Sequence, residues 1–144
     1  DPEVEAMAWL QTGAARIIVH GEVCDPAAAG RLAAEAKKRG AELMISVNPE
    51  TPAYRLREYF QVTGFFQVLA VLPGFAGQKF LPLMAEKVKF LRAEMPDAIL
   101  EVDGGINPEA ARLVKAAGAD SVTAASAIFE SADPSQAYNE LMGI

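Results

Sequence analysis

One pattern constrains this chain more than any other. A short break followed by an apolar, β-rich run occurs five times. Gly13-Ala14 precedes Arg16-Ile-Ile-Val-His20, Gly40-Ala41 precedes Leu43-Met-Ile-Ser-Val47, and Gly64 precedes Phe66-Gln-Val-Leu-Ala-Val71. Pro96-Asp97 introduces Ala98-Ile-Leu-Glu-Val102, and Gly118-Ala119 introduces Ser121-Val-Thr-Ala124. The runs start roughly 22 to 32 residues apart, room for one strand, one helix and two short loops.

The segments between the runs have helical ends and helical spacing. Asp25-Pro26 supplies an N-cap and a first-turn proline, and Leu32 and Ala36 form an apolar stripe that Gly40 ends. Asn107-Pro108-Glu109 repeats the device, with Leu113, Val114 and Ala117 expected inward and Gly118 at the end. Phe80, Leu83, Met84, Val88 and Leu91 mark a third helix, and Pro2–Gln11 and Pro134–Met142 two more. Trp9 in the first is expected to pack. Asn48-Pro-Glu-Thr-Pro52 reads as a loop that starts a helix, with Asn48 facing a pocket.

Apolar strands alternating with helices predict an α/β fold with a parallel sheet covered on both faces. Two architectures compete. An open doubly wound sheet suits five units in 144 residues. A (β/α)8 barrel needs about 200 to 250 residues, so the chain would supply only part of one. Length alone favours the open sheet.

Charge and composition narrow the partners. Thirteen Lys and Arg against 19 Asp and Glu give a net charge of −6 with no basic cluster, which argues against nucleic acid. The longest apolar runs, such as Phe65–Leu72, are too short to span a bilayer, so no membrane role is expected. The one cysteine, Cys24, can form no internal disulfide, and no charged-then-apolar leader opens the sequence. Both fit a cytoplasmic protein.

Ligands of either fold sit beyond the carboxyl ends of the strands. Those ends read His20-Gly-Glu22, Asn48-Pro49, Pro73-Gly-Phe-Ala-Gly-Gln78, Asp103-Gly-Gly105 and Ala125-Ser126. Gly74 and Gly77 flank Phe75 and Ala76 in a segment that is either a tight turn or a backbone cradle for an anion. Asp103 is a carboxylate ending an apolar strand; it is either a helix cap or turn aspartate or, since such a placement is costly as mere structure, a group for catalysis or metal ligation, with Gly104 and Gly105 facing a phosphate. Ser126 either caps a short helix or binds phosphate through its N–H and hydroxyl. Paired with the preceding Gly-Gly it matches the phosphate site of barrels, which tilts the architecture back toward the barrel. His20 and Glu22 share one strand face, as pocket lining or core in preference to a metal site.

These stretches resemble ribulose-phosphate 3-epimerases. Arg16-Ile-Ile-Val-His-Gly-Glu22, Val47-Asn-Pro-Glu-Thr-Pro52, Val71-Leu-Pro-Gly-Phe-Ala-Gly-Gln-Lys-Phe80, Glu101-Val-Asp-Gly-Gly-Ile106 and Ala124-Ala-Ser-Ala-Ile-Phe129 occur in that family's order at compatible spacings. The resemblance implies a (β/α)8 barrel, here from its third helix to its eighth, with residues 1–144 forming one partial domain that lacks the first three strands. It implies an isomerase of carbohydrate metabolism that converts D-ribulose 5-phosphate to D-xylulose 5-phosphate. Asp103 would then ligate a divalent metal (Zn, Fe, Mn or Co) and act as one of two acid/bases. Gly74, Phe75, Ala76 and Gly77 would close over the substrate; Gly104, Gly105, Ala125 and Ser126 would bind its phosphate. His20 would lie outside the metal shell.

The resemblance also implies what is missing. The family's first three strands carry the other catalytic aspartate, two metal-ligand histidines and a serine near the substrate. The isolated chain is therefore expected to be inactive. Leu72, Ala76 and Ala125 depart from the family's usual polar, glycine and glycine residues. The alternatives are a non-catalytic sugar-phosphate-binding partial barrel and a relative acting on a hexulose phosphate. The ketose phosphate is the expected partner, and open sheet edges invite a homo-oligomer.

Overall fold

The computed structural model describes residues 1–74 and 77–144. It runs α1 (Pro2–Gln11), β1 (Arg16–His20), α2 (Pro26–Lys38), β2 (Glu42–Val47), a 3-10 helix (Ala53–Tyr59), β3 (Phe65–Leu69) and α3 (Met84–Glu94). Then follow β4 (Ile99–Asp103), α4 (Pro108–Ala117), β5 (Ser121–Thr123), α5 (Ser126–Phe129) and α6 (Pro134–Met142). All five strands are parallel and lie in chain order, β1 to β5.

That order decides between the two architectures. A doubly wound sheet reverses its strand order at a switch point. Here the order never reverses, so right-handed crossovers put each connecting helix on the same face, the winding of a barrel wall. The expectation of helices on both faces is corrected accordingly. Ile17, Val19, Leu43, Ile45, Val47, Phe66, Val68, Leu100 and Val102 join one core with Leu32, Val88, Leu91 and Val114 of the helices. On the other, concave face Ile18 is 45% exposed, while Ser46 and Gln67 are buried polar residues.

Four helices begin with Asp-Pro or Asn-Pro; the caps expected at Asp25 and Asn107 form, and Asp1 and Asp133 supply two more. The carboxylates of Asp1, Asp25 and Asp133 and the amide oxygen of Asn107 accept backbone N–H bonds from the first turns of α1, α2, α6 and α4. Gly118 ends α4 at φ +105°, where a Cβ would meet the Arg92 side chain at 2.9 Å. The Arg92 guanidinium there donates to the carbonyls of Pro96, Ala98 and Gly118 and to the Asp120 carboxylate, which in turn accepts from Leu100 N.

The helix expected after Pro52 is present as a 3-10 helix, held by the Tyr59 hydroxyl on Gly21 O and Cys24 O. Three sequence expectations need correction. Helix α3 starts at Met84 rather than near Phe80, because Leu81 N bonds Ala70 O and ties the preceding residues to the end of β3. Leu113 is 40% exposed, because Ala110, Ala111, Val114 and Ala117 form the buried stripe and Leu113 falls on its flank. Trp9 is 64% exposed and lines a groove beside Ile18 and Val23 along the open edge of β1. Among the described residues no helix is long and apolar enough to cross a membrane.

Candidate active site

Parallel register aligns His20, Ser46, Gln67, Glu101 and Ser121 across the five strands on the concave face. The middle of this row is a hydrogen-bonded chain. Ser46 Oγ donates to Gln67 Oε1 (2.8 Å), and Gln67 Nε2 donates to Glu101 Oε1 (2.7 Å). Buried polar groups are tolerated when partnered in this way.

One step nearer the carboxyl ends lies Asp103, in register with Leu69 and Thr123. Burial pushes its carboxyl above the ordinary aspartate range; the neighbouring Glu101 charge adds to this and the Gly104 N–H opposes it. A carboxylate so placed holds a proton more readily than an exposed one. Gly104 follows at φ +108°, where a Cβ would lie 2.6 Å from Val71 Cγ2. Gly105 follows at φ +64°, where a Cβ would overlap the Phe80 backbone nitrogen. Both positions therefore demand glycine, for left-handed φ and for close packing at once.

Asp103, Gly104, Gly105, Ala125 and Ser126 line one cavity of about 190 Å³ with Gly77, Gln78, Val71, Ile106 and Thr123. It adjoins a groove of about 540 Å³ through Gln78, Gly105, Ile106 and Ser126. Six of the residues singled out in the sequence thus meet at the ends of β4 and β5. Gly74 (φ +149°) is not among the residues lining this cavity, and Phe75 and Ala76 lie outside the described residues. Ser126 is the first residue of α5 and Ala125 holds the N-cap position, with no side-chain capping bond, so Ser126 does not cap the helix. Ala125 has φ −120°, outside the left-handed region, so its backbone sign does not call for glycine.

His20 stands apart at the edge strand, its Nδ1 3.5 Å from Glu22 Oε2. Among the described residues no group of three His, Cys, Asp or Glu could hold a metal ion. A divalent cation at Asp103 would therefore need its other ligands from outside these residues.

The sequence reading missed Lys87, Gln67 and the contact of Glu101 with Gln67. A lysine within an amphipathic helix reads as solvent-facing, yet Lys87 is only 7% exposed. Strand register was the one signal available for the Ser46–Gln67–Glu101 chain, and it follows only once the strand order is known.

Comparison with known proteins adds an independent line. Residues 1–129 match the ribulose-phosphate 3 epimerase family. The chain is 32% identical over 148 residues to the ribulose-phosphate 3-epimerase of Bacillus subtilis (strain 168), covering 99% of this chain and 67% of that protein. It is 35% identical to the Chlamydia muridarum (strain MoPn / Nigg) ribulose-phosphate 3-epimerase, over 85% of this chain and 56% of that one. The rice (Oryza sativa subsp. japonica) cytoplasmic isoform is 38% identical over 73% of this chain and 47% of its own length. The chain thus spans about half to two thirds of the curated relatives it matches. By structure it is similar to a 3-hexulose-6-phosphate synthase (TM-score 0.77, 23% identity, 99% of this chain and 67% of that one). It is also similar to the orotidine 5'-phosphate decarboxylase of Pyrococcus horikoshii OT3 (TM-score 0.66, 19% identity, 99% of this chain and 68% of that one). At these identities the likeness concerns the fold.

Proposed function

The chain belongs to the ribulose-phosphate 3-epimerase family, and on that premise we propose that it supplies the phosphate grip and one acid/base of an epimerase interconverting D-ribulose 5-phosphate and D-xylulose 5-phosphate. The observation that carries this reading is the cavity at the ends of β4 and β5, where a carboxyl of raised pKa adjoins two obligatory glycines. In this reading residues 1–144 are one partial barrel domain of a cytoplasmic enzyme.

Epimerisation at carbon 3 breaks a C–H bond adjacent to the ketone and remakes it on the opposite face. Asp103 takes or returns the proton on its own face, leaving a planar enediolate between the two transfers. A second acid/base must act from the other face, and the concave side of the sheet is where it would stand. The backbone N–H groups around Gly105 and Ser126 receive the phosphate, so that carbon 3 is held against Asp103. The loop through Gly74, Phe75, Ala76 and Gly77 covers the bound ligand. When bound, a divalent metal would stabilise the charge developing on the ketone oxygen, with Asp103 as this chain's ligand to it.

The test joins this chain to the first three strand–helix units of the Bacillus subtilis relative and follows conversion of D-ribulose 5-phosphate. The chain alone gives no turnover and the joined protein does. Asp103→Asn lowers its rate by about 100-fold or more. A joined protein whose Asp103→Asn variant keeps the full rate removes Asp103 from the chemistry.

A further inference from the structure

The loop that follows β2 is held from two sides by opposite charges. From α3, Lys87 Nζ donates to the carbonyls of Asn48 (2.7 Å), Pro49 (3.2 Å) and Thr51 (2.7 Å). From the end of β1, Glu22 Oε1 accepts from Asn48 N (2.9 Å) and from the Thr51 hydroxyl. Among the described residues Lys87 has no carboxylate within ion-pair distance, so its charge is spent on three backbone oxygens. Burial lowers its pKa, with the Glu22 charge acting against that shift. Burial also works against the Glu22 carboxylate, but the bonds from Thr51 and Asn48 outweigh it and keep its pKa below the usual range.

What this clamp fixes is the Asn48 backbone, through its N–H and its carbonyl, and with it the point from which the side chain departs. Asn48 comes two residues after Ser46, which places it on the concave side at the carboxyl end of β2. Its Oδ1 is sealed from solvent without a donor. Its Nδ2 is not sealed and donates to nothing among the described residues, which leaves a free amide donor at the strand ends. A sealed, unpartnered oxygen is costly, so the loop holds it there against its own preference. Asp103 lies two strands away, about 10 Å by strand spacing. A ketose phosphate gripped at β4 and β5 and lying along the strand ends would cross β3 to reach this donor.

We propose that Asn48 is a specificity-determining contact, donating through Nδ2 to a hydroxyl or carbonyl oxygen of the ketose phosphate, and that Lys87 and Glu22 are the positioning residues that aim it. The proposal rests on the sugar-phosphate reading of the β4–β5 cavity. It predicts that the phosphate and the sugar are sensed by separate groups.

The 15N-labelled chain is titrated with inorganic phosphate and, separately, with D-ribulose 5-phosphate. Inorganic phosphate moves the amides of Gly105 and Ser126 and leaves the Asn48 side-chain NH2 pair still. D-Ribulose 5-phosphate moves all three. In Lys87→Met the Gly105 and Ser126 responses persist, the Asn48 response is lost, and the preference for the sugar phosphate over phosphate falls roughly 3- to 10-fold. Should Lys87→Met fail to fold, Thr51→Val removes one bond to Glu22 and weakens the Asn48 response alone. An Asn48 NH2 pair that ignores D-ribulose 5-phosphate while Gly105 and Ser126 respond overturns the proposal, as does an Asn48 response unchanged in Lys87→Met or Thr51→Val. Silence at Gly105 and Ser126 with both ligands overturns the underlying phosphate site and the proposal with it.

Discussion

At the residue scale, glycines with the same backbone sign have different jobs. Gly13 (φ +85°) and Gly105 (φ +64°) both occupy the left-handed region, but a Cβ on Gly13 would meet nothing within 4 Å. Gly13→Ala therefore costs only the conformational penalty, about 1 to 2 kcal/mol. Gly105→Ala adds an overlap with the Phe80 backbone, so thermal denaturation should place its Tm well below that of Gly13→Ala. Asp103 carries a pH signature. Its folded pKa is raised, so the folded state holds the proton above the pH at which the unfolded chain has lost it. Stability then falls as pH rises from the ordinary aspartate pKa through the raised one. In Asp103→Asn that fall is absent, and denaturant midpoints across this window show it directly. The Asp103-Gly104-Gly105 end was legible in the sequence because its chemistry is contained in three adjacent residues. Lys87 was not, since its partner carbonyls are 36 to 39 residues away and only folding brings them together.

At the element scale, the Asp25-Pro26 and Asn107-Pro108 helix starts were legible because a cap depends on residues two or three positions apart. Asn107→Ala removes the bond to Ala110 N at the head of α4, a helix with four buried residues. It should lower global stability by about 1 kcal/mol. Asp133→Ala removes the same device from α6, which has no buried residue. Its effect should be fraying of α6 in hydrogen exchange with little change in the global midpoint. The start of α3 was misread for a related reason. Periodicity from Phe80 to Leu91 is helical in spacing, but a tertiary bond from Leu81 N to Ala70 O keeps the first residues out of the helix. Patterning records which residues are apolar, and it cannot record a backbone bond formed across a loop.

At the scale of the whole molecule, strands were legible one by one and their order was not, so length favoured the wrong architecture. Five units fit an open sheet as comfortably as part of a barrel; the Gly104-Gly105 and Ser126 strand ends and the family resemblance pointed to the barrel, and the unreversed order bears that out. The same order leaves β1 and β5 paired on one side each among the described residues, with Trp9 and Ile18 exposed beside the first. Exposed strand edges recruit other strands. Sedimentation of the chain alone should show concentration-dependent self-association, and adding the three missing units should abolish it and raise the Tm. A monodisperse monomer at high concentration would count against that. The unreversed order has one more consequence, for how the chain comes into being. Arg16 meets Glu42 across 26 residues and Gln67 meets Glu101 across 34, so every strand docks on the one made just before it. No early strand has to wait for a distant one. A chain leaving the ribosome could add its wall unit by unit, each new pairing available as soon as its strand emerges.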